Sequence, residues 1–171
     1  MPRRLITSTL LVLGFLAGGS LAAQTKVVTL FGEIGPLHLR IVDANDAERA
    51  LGLSADSLKS RALAALVAAG IPTLTEKQWI DANRPPFLVL SFTAYGRPSE
   101  AKVVCNVRLE LQEYVSVLRE EKWQENQVLA ATWNAGRVCA APPALIVFQI
   151  ERDVDSIIEE LVKAYQAGRE P

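Results

Sequence analysis

Between Lys102 and Gln112 the side chains sort by parity. Val103, Cys105, Val107, Leu109 and Leu111 fall on one side, and Val104, Asn106, Arg108, Glu110 and Gln112 on the other. A period of two is the mark of a strand with one face buried and one wet. A polar stretch, Arg119 to Asn126, follows, and Gln127 to Ala135 then places Leu129, Ala131 and Trp133 on one parity. The pattern predicts a long antiparallel hairpin. With the turn centred near Glu121 to Trp123, facing positions have numbers that add to about 244, which seats Leu111 opposite Trp133 and Cys105 opposite Cys139. One register therefore aligns the apolar positions and brings the chain's two cysteines together as a disulfide.

The same reading runs along the rest of the chain. Gln24 to Phe31 reads as a short strand or an ordered arm, and Leu37 to Val42 as the first core strand, with His38 on its polar side. Leu58, Ala62, Ala65, Leu66 and Ala69 lie at helical spacing behind Ser54 or Ser57 as cap, and Gly70-Ile71-Pro72 ends that helix. Pro72 to Thr75 is a short extended piece. Thr75-Glu-Lys-Gln78 is a capping box for one or two helical turns that finish before Pro85-Pro86. Phe87 to Tyr95, apolar on both faces at its start, predicts a central strand. Ala140 to Pro143 reads as a hinge and Ala144 to Ile150 as an apolar run. Val154, Ile157, Ile158, Leu161, Val162 and Tyr165 then mark an amphipathic helix starting near Asp153 or Asp155. The expected fold is α+β, a two-layer sandwich of a mainly antiparallel sheet with two main helices on one face.

Composition changes this picture at the amino terminus. Arg3 and Arg4, an apolar run from Leu5 to Gly18 and the small residues Ser20 to Ala23 have the order of a secretory signal. The apolar run falls short of the roughly 20 residues that span a bilayer, so no stable membrane insertion is expected after cleavage. The expected division is a signal peptide over 1–23 and a single α+β domain over 24–171. The residue after Ala23 is Gln24, so a lipoprotein anchor is not expected. The 18 basic side chains include Arg3 and Arg4, which leaves 16 against 19 acidic ones, a net charge of about −3. That excludes nucleic acid as the main partner, because phosphate binding needs a basic face. A paired Cys105 and Cys139 suits an oxidising compartment, the periplasm or outside the cell, and closing that loop contributes roughly 3–4 kcal/mol in the chain-entropy account.

Chemistry is sparse. There is a single histidine, His38, read as a surface residue. No Gly-x-Ser-x-Gly elbow and no Cys-x-x-Cys occurs in the mature sequence, and Asp43 to Glu48 lacks the glycine of a calcium loop. The expectation is a non-catalytic chain with no metal and no cofactor. Three residues are candidates for partner contact: Trp123 at the hairpin tip, and Arg108 and Tyr114 on the wet sheet face.

The segment Gly52 to Arg61, with Leu66, Ala69-Gly-Ile-Pro72, Ala131-Thr-Trp133 and the terminal amphipathic helix, resembles a group of small exported bacterial proteins of unassigned function. The order of elements is also similar to small α/β envelope domains, such as the amino-terminal domain of the Tol-system propeller protein and the curli-secretion lipoprotein. That resemblance implies a domain used for contacts with another envelope protein. The alternative is a small-ligand carrier with a pocket between sheet and helices.

Overall fold

A computed structural model describes residues 34–119 and 122–168, with side chains described for all of these except 116–119 and 122–126. The expected signal peptide over 1–23, Gln24 to Phe31 and the Trp123 side chain lie outside the described residues.

The chain forms an α+β fold around one five-stranded sheet: β1 (Leu37–Ile41), β2 (Thr73–Leu74), β3 (Phe87–Tyr95), β4 (Val103–Arg119) and β5 (Lys122–Ala141), in the order β2-β1-β3-β4-β5. Its helices are α1 (Asp46–Ala50), α2 (Ala55–Ala68), α3 (Glu76–Asp81) and α4 (Pro143–Ala167).

The sheet is mixed, where a mainly antiparallel one was expected. β3, β4 and β5 form an antiparallel meander, but β1 runs parallel to both β2 and β3. Helical crossovers cause this. α1 and α2 carry the chain back from β1 to β2, and α3 leads on to β3, so all three strands start from the same end. The hairpin register matches the expectation at its base: Cys105 faces Cys139 and Leu111 faces Trp133. Beyond it the arms run longer than predicted and shift twice, between Leu111 and Gln112 and between Ser116 and Leu118. The first shift is a bulge with Thr132 as the extra residue on β5.

Burial follows parity along β4. Val103, Cys105, Val107, Leu109 and Leu111 are buried, while Val104, Asn106 and Arg108 are exposed. The buried set joins Leu37 and Leu39 of β1, Leu88, Leu90 and Phe92 of β3, Leu58, Ala62 and Leu66 of α2, and Ile146, Ile150, Ile157 and Leu161 of α4 in one core. Burying each large side chain contributes about 2 kcal/mol. Alanine at position 62, wholly buried, lets α2 come close to its neighbours. Arg61 clamps α2 to α4 with a two-pronged bond to Asp155, at 2.7 and 2.6 Å, and these hydrogen bonds raise its pKa above the usual arginine value.

Local signals stop and start the helices. Ser54 caps α2 by accepting from the Ser57 N–H, and Gly70, at φ 75°, closes it. Ile71 N–H donates to Leu66 O and Gly70 N–H to Val67 O, the paired bonds of a Schellman end. The capping box of Thr75 and Gln78 opens α3 as expected. A second box, Asn45 with Glu48, opens α1. Glu48 is buried there, accepting from Asn45 N–H at 2.8 Å and from Ala94 N–H at 3.2 Å, which ties the β1–α1 turn to the far end of β3. Glu48→Ala should lose about 2 kcal/mol, because two backbone donors lose a carboxylate acceptor. Glu48→Gln, which keeps one acceptor oxygen, should lose less, and urea unfolding of both variants measures the difference.

α4 begins ten positions earlier than the sequence reading. Pro142 is its N-cap and Pro143 its first residue, so the two prolines start the helix instead of forming a hinge. Asp153 sits mid-helix and is buried, not at a helix start.

Candidate interaction face

α2 packs on β1 and α4 on β4 and β5, which gives the core side of the sheet to helices. The opposite side presents the other parity of every strand. At one end Tyr95, Val104 and Val138 are 68%, 46% and 78% exposed. Tyr95 faces Val104 directly, and Val138 faces Asn106, one pair along β4. These side chains lie within reach of one another across three strands. At the other end Tyr114 and Leu129 face each other, each nearly half exposed.

A polar band separates the two apolar ends. Arg108 donates to Glu110 at 2.6 Å, and Gln112 Nε2 donates to the other Glu110 oxygen at 2.6 Å. Glu110 is better covered than Arg108, and its carboxyl group joins Arg108 and Gln112 on this face. Gly136 lies opposite Arg108, where a Cβ would come within 3.3 Å of the Val107 carbonyl, so this position leaves the guanidinium uncovered on the β5 side. Of the predicted contact residues, Arg108 and Tyr114 thus share this face, separated along β4 by Glu110 and Gln112. Trp123 pairs through its backbone with Leu118, and its side chain lies outside the described residues.

The β1 margin of this face holds what the sequence reading missed. His38 has the expected parity but is buried, 3% exposed, instead of being a surface residue. The reason is Trp79, delivered by α3 from forty-one positions downstream. Its ring stacks on His38 with centroids 5.3 Å apart and meets Phe87 edge-on at 5.2 Å. His38 Nδ1 lies 3.0 Å from Leu74 O, and since a carbonyl only accepts, Nδ1 carries the hydrogen, while Nε2 has no hydrogen-bond partner among the described residues. Arg40 and Arg84 stand over the Trp79 ring at 6.0 and 5.9 Å. The signal that could have found this cluster was the short capped helix with one large aromatic residue, set just before a strand that opens on Phe87.

Clefts occur elsewhere. One of about 570 Å³ lies between α2 and α4, with Ala65, Ala69, Ile158 and Val162 as floor and Asp155 and Lys163 on its rim. Another of about 320 Å³ lies where His38, Lys59, Thr73 and Glu76 approach. The interface between sheet and helices is filled by Leu88, Leu90, Leu109, Ile150 and Ile157, all with no exposed surface. Among the described residues no helix is long and apolar enough to cross a membrane.

No family model matches this sequence, and no curated protein matches it. Among solved structures, the chain is similar to a PelC variant dodecamer from Paraburkholderia phytofirmans, with 15% identity over 77% of this chain and 89% of that one and a TM-score of 0.44.

Proposed function

We propose that this chain is an exported, non-catalytic protein that binds another protein of the cell envelope through the uncovered face of its sheet. In this reading the signal over 1–23 is removed. The remainder, 24–171, is a single domain, with α2 and α4 on one side of the sheet and the partner on the other, beside the β1 margin that α3 covers. The periplasm or the extracellular space is its compartment. The amino-terminal sequence pattern supports export, and so does the Cys105–Cys139 bond, since thiol pairs persist as disulfides in oxidising compartments.

The observation that carries the proposal is the exposed row of side chains on that face. Tyr95, Val104 and Val138 form one apolar end, Tyr114 and Leu129 the other, and the Arg108–Glu110–Gln112 band lies between. Apolar anchors around a fixed polar centre suit a folded partner. The aromatic and aliphatic groups supply buried area, and the charged pair sets orientation. Trp123, the candidate at the hairpin tip, is proposed as a further contact on sequence grounds.

Site-specific photo-crosslinking in the native host tests it. A photoreactive residue at Val138 or Tyr114 should give one discrete adduct, and one at Val67, 61% exposed on α2, should not. Arg108→Glu combined with Tyr114→Asp should reduce that adduct at least tenfold. Adducts from Val67 alone, or equal adducts from every position, would overturn the proposal.

A further inference from the structure

We propose that the Cys105–Cys139 disulfide exchanges with an external dithiol, and that Asp153 carries the proton for the Cys105 sulfur. The two sulfurs and a carboxylate oxygen of Asp153 all lie within 4.8 Å of one another. Asp153 is 8% exposed. One of its oxygens accepts from Gln149 Nε2 at 2.9 Å, and the other is buried without a hydrogen-bond partner among the described residues. Gln149 in turn accepts from Arg152 at 2.8 Å, so this guanidinium is linked to Asp153 through a neutral amide. Leaving a buried carboxyl oxygen without a hydrogen-bond partner is unfavourable. Packing against a disulfide does not need it, because leucine or asparagine would fill the same volume.

Access to the two sulfurs is unequal. Cys105 is wholly buried on β4, while Cys139 is half-buried on β5, the outermost strand of the sheet. An incoming thiolate therefore attacks Cys139 Sγ and forms a mixed disulfide there. The Cys105–Cys139 bond breaks and its electron pair goes to Cys105 Sγ. The Asp153 carboxyl, with an oxygen no more than 4.8 Å from that sulfur, protonates it directly or through one bridging water. The second thiol of the same reagent then attacks its own sulfur in the mixed disulfide and releases Cys139, which takes a proton from solvent. The reagent leaves as a disulfide, the protein gains two electrons and two protons, and solvent reprotonates Asp153. Re-oxidation runs through the same steps in reverse.

The test uses the purified mature chain and dithiothreitol, with free thiols trapped by alkylation and counted by mass. At equal thiolate concentration, Asp153→Asn should open the bond at least tenfold more slowly. The wild type should show a solvent deuterium isotope effect that the variant lacks, a signature that a purely structural role would not produce. With a monothiol in excess, the first mixed disulfide should be found on Cys139. Equal opening rates, an adduct on Cys105 alone, or no isotope effect in the wild type would each overturn the proposal. The last of these needs no variant, so it stands even where Asp153→Asn fails to fold.

Discussion

Trp79→Ala should lower the unfolding free energy by about 3–5 kcal/mol, the range for deleting a buried aromatic side chain. The loss should be larger than the size of α3 suggests, because that six-residue helix has little to hold it besides this ring. Trp79 is 6% exposed, stacks on His38, meets Phe87, and donates from Nε1 to Pro85 O at 2.8 Å. The helix ends through Asn83 and Arg84, at φ 60° and 54°. Left-handed backbone of this kind costs roughly 1–2 kcal/mol per residue away from glycine. It is held by Asn83 N–H to Ile80 O and Arg84 N–H to Trp79 O, so it depends on a formed α3. Trp79→Phe keeps most of the ring contact and drops the indole donor, and should lose less. Because the chain has a single histidine, diethyl pyrocarbonate gives a direct readout: His38 should be slow to react in the wild type and fast in Trp79→Ala. A fast wild-type reaction would mean that Trp79 does not cover His38 in solution.

That cluster also shows where sequence reading stops. Parity placed His38 correctly on the face opposite Leu37 and Leu39. It could not say that part of this face is dry, because the covering side chain comes from a different element. The hairpin base was legible because alternation, the two cysteines and Trp133 agreed on one register. The bulge at Thr132 was not, since one inserted residue leaves no mark in composition. The early start of α4 was hidden by its own exposed surface. Leu145 and Phe148 are 54% and 63% exposed, so Ala144 to Ile150 shows no clean helical stripe, although Ile146 and Ile150 are buried and Val147 packs against the core. The parallel pairing of β1 follows from its crossovers, which a strand-by-strand pattern does not contain. Arg108 and Tyr114 lie on the exposed face as expected, because the wet parity of β4 was read correctly. Glu48 and Asp153 were missed because a buried carboxylate looks like any other acidic residue in a helix.

Replacing Cys105 and Cys139 together by alanine should cost about 3 kcal/mol, since the bond closes a loop with a sequence separation of 34. For a domain of about 150 residues, each kcal/mol moves the melting midpoint by roughly 2–4 °C, so a drop on the order of 10 °C is expected in thermal unfolding followed by circular dichroism. The Cα atoms of the pair lie 5.1 Å apart in a ladder that continues on both sides, so the native hairpin needs no rearrangement when the sulfurs are removed. The effect must then come from the unfolded chain, which is freed to separate the base of β4 from the start of α4. Reducing the wild type with dithiothreitol should reproduce the same drop. A shift below about 1 kcal/mol in both experiments would mean that the unfolded ensemble already keeps these two arms together. The long β4–β5 ladder, not the sulfur bond, would then hold the architecture on which the interaction face depends.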